Sequence, residues 1–287
     1  MRIKKSRCLI AALEEGIIDP SSTIINCSGG ISYGKWTFGC WKKGGHGTVN
    51  FHKAIVESCD TYFYEMGRRL GFDKIYKYAT MFGLGRETGF KLIPIKERHG
   101  LIPNAQWKKE KRNQQWYLGD TFISAIGQGA VSATPIQMAV MMSAFANGGH
   151  IYKPVLIKGE RIPVSSVTLK QDTISRIKAA LSGVVNEPTG TAKGAYLPFV
   201  EVGGKTGTAQ VVDKKKDASG EQFIDHAWFV AFAPVENSEI ALSVFVEHGG
   251  GGGAVAAPIA RKAIEAYFKS GKKQSAAENG HNKNAQN

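Results

Sequence analysis

One glycine-rich run, Gly203 to Gln210, contains several residues that are suited to bind a carboxylate. They are Lys205, Thr206, Gly207 and Thr208. Glycines inside a strand pattern let a ligand approach the backbone closely, and a lysine beside two hydroxyls is a good receptor for a carboxylate. An ordinary solvated strand edge is the competing interpretation, because Lys-Thr-Gly also occurs by chance. The run predicts an anion-binding strand edge, and the rest of the sequence must decide between the two interpretations.

Metal-ligating residues form a second group, Cys27, Cys40, His46 and Cys59. Three thiolates and an imidazole suit tetrahedral Zn²⁺, and the glycines between them supply the turns of a loop that wraps a metal. The spacings are longer than those of the usual paired-cysteine finger. A disulfide or buried free thiols are the alternatives, although a disulfide would leave one of these three cysteines unpaired. Ligand type and loop composition favour a zinc site.

The composition, with 43% hydrophobic and 21% charged residues among 287, is that of a globular protein. No apolar stretch of about 18 residues exists to span a bilayer. The basic residues behind the net charge of +13 are scattered, which argues against nucleic acid and also fits a setting near a membrane or cell wall. The N-terminus imitates a signal peptide, but its apolar part is too short, so the segment is interpreted as the later part of a helix that ends at Gly16.

Periodicity and capping residues predict a mixed α and β domain over residues 1–269, followed by a disordered tail over 270–287. Asn50 is predicted to cap a helix that carries Ser58-Cys59-Asp60 in its midst, and the polar stretch Arg86 to Asp120 to be a long surface excursion. The further predicted helices are Phe72 to Phe82, one opened by Thr134-Pro135, Gln171 to Val185, and Ala254 to Phe268. The predicted strands, in an antiparallel meander, are Phe199 to Val212, Phe223 to Val235 and Ile240 to His248.

Two separated motifs, Ser58-x-Asp60 and Lys205-Thr206-Gly207, together match the second and third elements of a known set. On these motifs the chain resembles the transpeptidase domain of penicillin-binding proteins, and more narrowly the penicillin-binding protein 2 type, the D,D-transpeptidase of bacterial cell elongation. Similar stretches include Ser58 to Tyr64, with Asp60 where many relatives have asparagine. Further similar stretches are Ala125 to Gly129 with Thr134-Pro135, Ala146 to Gly149, and His226 to Phe229.

The resemblance implies a serine β-lactamase-like α/β fold, a mainly antiparallel sheet flanked by helices, with a helical subdomain over about residues 50–187. It implies a metal site in the segment before the second motif, which strengthens the zinc prediction for Cys27, Cys40, His46 and Cys59. It also implies a place at the periplasmic face of the inner membrane, with peptidoglycan stem peptides, β-lactams and proteins of the elongation machinery as partners. Nucleic acid is not expected as a partner.

The chemistry that the resemblance implies is acyl transfer. A serine, aided by a lysine one helical turn later, would attack the bond between two terminal D-alanines, and the amine of a neighbouring stem peptide would resolve the acyl-enzyme. Ser58 would relay a proton and Asp60 would orient the substrate. Lys205, Thr206 and Thr208 would hold the terminal carboxylate, and the N–H of Thr208 would form half of the oxyanion hole.

The chain departs from the family at its start, where Leu13 to Gly16 matches the end of the helix that should begin with Ser-x-x-Lys. Counting back places the lysine at Lys5 and the serine at Arg2. The nucleophile, membrane anchor and pedestal domain are therefore expected to be missing, as in a truncated or frameshifted copy, and no penicillin adduct is expected. The alternative is a non-catalytic, zinc-bound remnant that binds cell-wall peptide or assembly partners.

Overall fold

The computed structural model describes residues 5–91, 94–157, 159, 161–210 and 224–283. Within this part of the chain the helices are α1 (Lys5–Glu14), α2 (Phe51–Val56), α3 (Asp60–Leu70), α4 (Phe72–Met81), α5 (Ala105–Arg112), α6 (Leu118–Ala125), α7 (Pro135–Ala146), α8 (Gln171–Asn186) and α9 (Ala257–Lys283). The strands are β1 (Ile25–Cys27), β2 (Gly30–Tyr33), β3 (Trp36–Gly39), β4 (Gly47–Val49), β5 (His150–Tyr152), β6 (Pro163–Ser166), β7 (Gly203–Ala209), β8 (His226–Ala233) and β9 (Ile240–Val246).

The main sheet has the strand order β7-β8-β9, with both pairs antiparallel, so the predicted meander is confirmed. β7 begins at Gly203 rather than Phe199, and the end predicted at Val212 lies outside the described residues. Aromatic side chains of β8 pack against the start of β7. A Cβ on Gly204 would lie 2.5 Å from a ring carbon of Phe229, so only glycine fits there.

Helices cover the sheet and enclose the chain's first helix. α7 packs against β9, α8 against β7, and α9 against β8, while α1 contacts α3, α4 and α8. Residues 8–12 of α1 are fully buried, and the helix is followed by Gly16 in a left-handed conformation, so the predicted helix end is confirmed. α1 therefore lies in the core, where its N-terminal residue Lys5 is also buried.

Ser58 does not lie in the middle of a helix, which corrects the prediction for this segment. Asn50 does cap α2, by accepting from the N–H of Lys53, but α2 ends at Val56 and α3 begins at Asp60. The N–H of Ser58 donates to the carbonyl of Ile55, the N–H of Cys59 donates to that of Ala54, and Ser58 has φ +56°. This is a Schellman motif with serine in the left-handed position that glycine usually takes.

Two other segments differ from the expectations. The stretch predicted as a surface excursion contains α5, because the side chain of Asn104 accepts from the N–H of Trp107 and caps a run of lysines and arginines. The backbone from residue 270, which was predicted to be a disordered tail, is helical to Lys283. Residues 284–287 lie outside the described part.

Candidate active site and metal cluster

Lys5 joins the first helix to the Ser58 motif in a fully buried cluster. Its Nζ lies 2.7 Å from Oδ1 of Asp60, and it donates to the carbonyl oxygen of Ser58 at 2.8 Å and to Ser58 Oγ at 3.1 Å. The ring of Phe63 lies beneath the ammonium, with its centroid 5.0 Å from Nζ. Because buried charges require a partner, the Asp60 carboxylate and the Lys5 ammonium stabilise each other and hold Ser58 Oγ within hydrogen-bond reach.

Trp41 binds the same two residues from the other side. Its backbone N–H donates to Asp60 Oδ2 at 2.9 Å, and its Nε1 donates to the carbonyls of Glu57 and Ser58, both at 3.1 Å. Sequence reasoning missed this residue, although its place directly after Cys40 was a usable signal. The left-handed turn at Ser58 is therefore held by donors from α1 and from the loop before α2.

The Lys-Thr-Gly motif lies on β7, whose described neighbour in the sheet is β8 alone. Lys205 is fully buried and its Nζ lies 3.4 Å from the carbonyl oxygen of Thr206. The Thr206 hydroxyl lies 2.9 Å from that of Thr191, and the Gln128 amide donates to the carbonyl of Thr208 at 2.9 Å. Contacts from Thr191 and Gln128 thus help to hold β7 in place, in addition to its pairing with β8.

A cleft of about 310 Å³ brings the two motifs together. Ser58 and Trp41 line it together with residues 206–208, and residues 189–191 and 251–253 complete the lining. Gly252 can pack directly on the sheet because it has no side chain, since a Cβ there would lie 2.2 Å from the carbonyl oxygen of Trp228. No sequence motif assigns the glycine run over residues 249–253, or Thr191, to the site.

Asp60 and Lys205 are buried and do not line the cleft. Asp60 binds Lys5 and the N–H of Trp41, and Lys205 lies beside the carbonyl of Thr206. The roles predicted for Ser58, Asp60, Lys5 and the β7 residues stay predictions, although the fold brings all of these residues together. The position assigned to the missing nucleophile, Arg2, lies outside the described residues. The cleft joins a polar hydroxyl side to an aromatic side, which suits a peptide with a terminal carboxylate.

The four predicted metal ligands converge in a buried cluster. The Sγ atoms of Cys27, Cys40 and Cys59 and a ring nitrogen of His46 all lie within 4.8 Å of one another. Nδ1 of His46 is 3.6 Å from Cys27 Sγ and 3.5 Å from Cys40 Sγ. For tetrahedral zinc, with bonds of about 2.3 Å to sulfur and 2.0–2.1 Å to nitrogen, a sulfur and a nitrogen ligand lie about 3.6 Å apart.

The chemistry of these donors also fits a cation. A hydrogen bond from Cys59 lowers the pKa of the Cys40 thiol to about 4, and the same bond, together with burial, raises the pKa of Cys59. All four cysteines of the chain are free of disulfides, which excludes the disulfide alternative within this structure. The set is therefore a closed site of three sulfurs and one nitrogen, the arrangement of structural zinc centres.

Comparison with known proteins gives one consistent result. The family model for the penicillin binding protein transpeptidase domain matches residues 4–265. The peptidoglycan D,D-transpeptidase MrdA of Acinetobacter baumannii is 34% identical over 90% of this chain, and stage V sporulation protein D of Bacillus subtilis is 34% identical over 88%. The chain spans 44% and 39% of these two relatives, which is less than half of their length.

Solved structures agree with the sequence comparison. The crystal structure of Pseudomonas aeruginosa PBP2 in complex with WCK 5153 matches 93% of the chain with a TM-score of 0.81 and 32% identity, over 60% of that protein. PBP2 from Helicobacter pylori, solved in a complex with MreC, matches 93% with a TM-score of 0.80 and 32% identity, over 49% of that chain. These neighbours confirm the predicted serine β-lactamase-like fold.

None of the described helices combines the length and the apolar character needed to span a bilayer. The matched family model, the shared fold and the meeting of the Ser58 and Lys-Thr-Gly motifs at one cleft lead to a single assignment. The chain belongs to the penicillin-binding protein transpeptidase family and is similar to its PBP2 type.

Proposed function

We propose that the cleft is the donor site of a peptidoglycan D,D-transpeptidase of cell-wall elongation and binds the D-Ala-D-Ala end of a stem peptide. The observation that carries this proposal is the juxtaposition of Lys5, Ser58 and residues 206–208 around one cleft. A lysine and a serine hydroxyl within hydrogen-bond reach form a proton-transfer pair, and the facing strand edge offers hydroxyls to a carboxylate.

Each residue has a defined task in this proposal. Thr206 and Thr208 donate hydroxyl hydrogen bonds to the terminal carboxylate, and buried Lys205 supplies positive potential behind them. β7 is paired on one edge, so an N–H on its other edge, that of Thr208, can stabilise the oxyanion of the tetrahedral intermediate. In this proposal Lys5 first passes its ammonium proton to the buried Asp60 carboxylate. The neutral amine then accepts the proton of the attacking hydroxyl, which reaches the leaving D-alanine amine through Ser58.

The attacking hydroxyl is the missing part, because Arg2 stands where the family motif has serine. Losing a catalytic nucleophile removes about four to six orders of magnitude in rate. We therefore expect no labelled band when the unmodified chain is incubated with a fluorescent penicillin and separated by denaturing electrophoresis. Arg2→Ser recreates Ser-x-x-Lys with Lys5 and is expected to be labelled, whereas the matched Arg2→Ala variant is not.

Both outcomes of this labelling experiment are informative. A labelled band in the unmodified chain would overturn the claim that the nucleophile is missing. An unlabelled Arg2→Ser variant with the same melting temperature as the unmodified chain would argue against acyl transfer at this site.

The non-catalytic alternative is favoured by one observation, the arginine at the position of the nucleophile. In that case the cleft only binds cell-wall peptide. Isothermal titration with diacetyl-L-Lys-D-Ala-D-Ala, and with its L-Ala-L-Ala isomer as control, tests recognition apart from chemistry. Binding of the D,D isomer alone, together with no labelling of Arg2→Ser, would make the binding role the better conclusion.

We also propose that Cys27, Cys40, His46 and Cys59 hold a structural zinc ion. Zinc would supply four bonds that tie together β1, the loop between β3 and β4, and the start of α3. Since Cys59 lies between Ser58 and Asp60, one of these bonds would also brace the Ser58 motif. Metal analysis of the purified protein should give about one zinc per chain. Cys40→Ser should lose it, whereas Cys8→Ser, a buried cysteine outside the cluster, should retain it. Equal zinc in both variants would exclude the assigned ligands.

The setting of the protein is part of the same proposal. We infer that it works at the periplasmic face of the inner membrane with proteins of the elongation machinery. The H. pylori PBP2 complex with MreC supports this, since PBP2 in that complex matches 93% of this chain, over 49% of its own length. Co-purification of the tagged chain with an MreC-type protein from a cell-envelope extract tests it, and a cytosolic location without such a partner would contradict it.

A further inference from the structure

Trp41 lies between the metal cluster and the cleft and contacts residues of both. It follows Cys40 directly in the chain, and its indole packs edge-on against the ring of His46, with 5.4 Å between the ring centroids. Two of the four cluster residues therefore set its position. A bond from a metal to Cys40 Sγ and to the His46 ring would immobilise both neighbours of this tryptophan.

The polar atoms of Trp41 hold the turn that carries Ser58. Its N–H and Nε1–H bind the Asp60 carboxylate and the Ser58 carbonyl, and these are the two groups that Lys5 also binds. A shift of the indole would therefore remove a second donor from the Ser58 carbonyl, and a shift of the Trp41 backbone would remove one from the Asp60 carboxylate. The left-handed conformation of Ser58, which is unfavourable for a residue other than glycine, depends on such surrounding restraints.

The remaining surface of Trp41 is open to the cleft. The residue is 45% exposed and lines the cleft opposite Thr206 and Thr208. Because both of its N–H groups are used within the protein, the part left for a ligand is the apolar ring face. Such a face suits an aliphatic group, here the methyl group of a D-alanine whose carboxylate lies at the threonines.

We propose that Trp41 is a positioning residue through which metal bound by Cys27, Cys40, His46 and Cys59 strengthens peptide binding in the cleft. This inference rests on the proposed binding of a D-Ala-D-Ala end. It adds that the zinc site regulates the affinity of the peptide site, and it assigns the coupling to one side chain. A second route exists through Cys59, which adjoins Ser58 in the chain, so the test must separate the two routes.

A thermodynamic cycle of zinc and Trp41 separates them. Affinity for diacetyl-L-Lys-D-Ala-D-Ala is measured by titration calorimetry on zinc-loaded and chelator-treated protein, unmodified and with Trp41→Leu. Removing zinc is expected to weaken binding to the unmodified protein by about five- to twenty-fold, the range of moderate coupling between sites. Trp41→Leu should weaken binding by a similar factor, and zinc removal should then change the affinity by less than about twofold.

A conservative variant tests whether the indole hydrogen bond matters. Trp41→Phe keeps an aromatic face but loses the Nε1 donor, so it should recover part of the peptide affinity while the effect of zinc stays reduced. If Trp41→Leu retains the full zinc dependence of the unmodified protein, the coupling runs through Cys59 and the inference is overturned. Because Trp41 is half-exposed, neither variant removes buried core volume.

A second readout keeps the inference testable if no peptide binds. In that case the proposed function fails, but the effect of zinc on Trp41 can still be measured from acrylamide quenching of its fluorescence. The difference between the unmodified protein and Trp41→Phe isolates the signal of this residue. Chelation is expected to raise the quenching constant of Trp41 at least about twofold as the indole leaves the His46 ring. An unchanged constant would show that zinc does not position Trp41.

Discussion

Replacing Lys5 by methionine tests whether the buried ion pair organises the site. Lys5 and Asp60 have side-chain exposures of 0% and 1%, and Nζ lies 2.7 Å from Oδ1. Methionine fills most of the volume of the lysine stem but supplies no charge. The Ser58 carbonyl keeps its bond from Trp41, so the principal loss is the partner of a buried carboxylate.

The expected cost follows from that uncompensated charge. Removing one partner of a buried ion pair destabilises a protein by about 3–5 kcal/mol. At about 2–4 °C per kcal/mol for a domain of this size, Lys5→Met should lower the melting temperature by about 6–20 °C. The double variant Lys5→Met with Asp60→Asn removes the orphaned charge as well and should lie within about 2 kcal/mol of the unmodified protein.

Thermal and urea unfolding, followed by circular dichroism at pH 7, measure these differences. Lys77→Met is the matched control, because Lys77 pairs with Glu15 at the surface, where Lys77 is 58% exposed and solvent screens the pair, so its loss should change stability little. If Lys5→Met is no less stable than Lys77→Met, or if adding Asp60→Asn lowers stability further instead of restoring it, the buried pair does not have the role assigned here.

Three other measurements address the cleft and the metal. Gly252→Ala should strongly destabilise the protein, since its Cβ would lie 2.2 Å from a backbone oxygen of β8. Gly251→Ala is the control, because there the nearest atom would be 4.0 Å from the Cβ. Equal melting temperatures for the two alanine variants would contradict this packing. Zinc affinity, measured by chelator competition between pH 8 and pH 6, should fall as the pH falls. The raised pKa of Cys59 keeps this thiol protonated without metal, so zinc must displace that proton. A pH-independent affinity would remove Cys59 from the ligand set. Thr191→Val should weaken D,D-peptide binding by about fivefold through the lost bond to Thr206, with Thr191→Ser restoring it; equal affinities would exclude this support.

Local sequence patterns were sufficient for much of the fold. The cap at Thr134-Pro135, the alternating residues of β9 and the end of α1 before Gly16 were predictable, because capping bonds, strand alternation and glycine conformations depend on neighbours within a few residues. The residue types of the metal cluster were also a sound guide, since three cysteines and a histidine in a glycine-rich loop have few other uses.

The break between α2 and α3 could not be predicted in this way. Apolar residues continue at helical spacing on both sides of Ser58, and serine gives no local signal for a left-handed turn. The conformation is maintained by Lys5 and Trp41, which are distant in the chain. Only tertiary contacts could therefore decide it.

The cleft itself is the clearest product of the tertiary structure. The sequence already contained the chemistry of Ser58, Lys205 and the metal ligands, because functional groups belong to residue types and motifs. Their arrangement required α1 to pack against α3, and α8 to pack against both α1 and β7, which placed Trp41, Thr191 and the glycines near residue 252 at the site. Packing joins residues according to shape and burial rather than order in the chain, so no sequence pattern assigned Thr191 or these glycines to the site, and Trp41 had only its place after Cys40 as a signal.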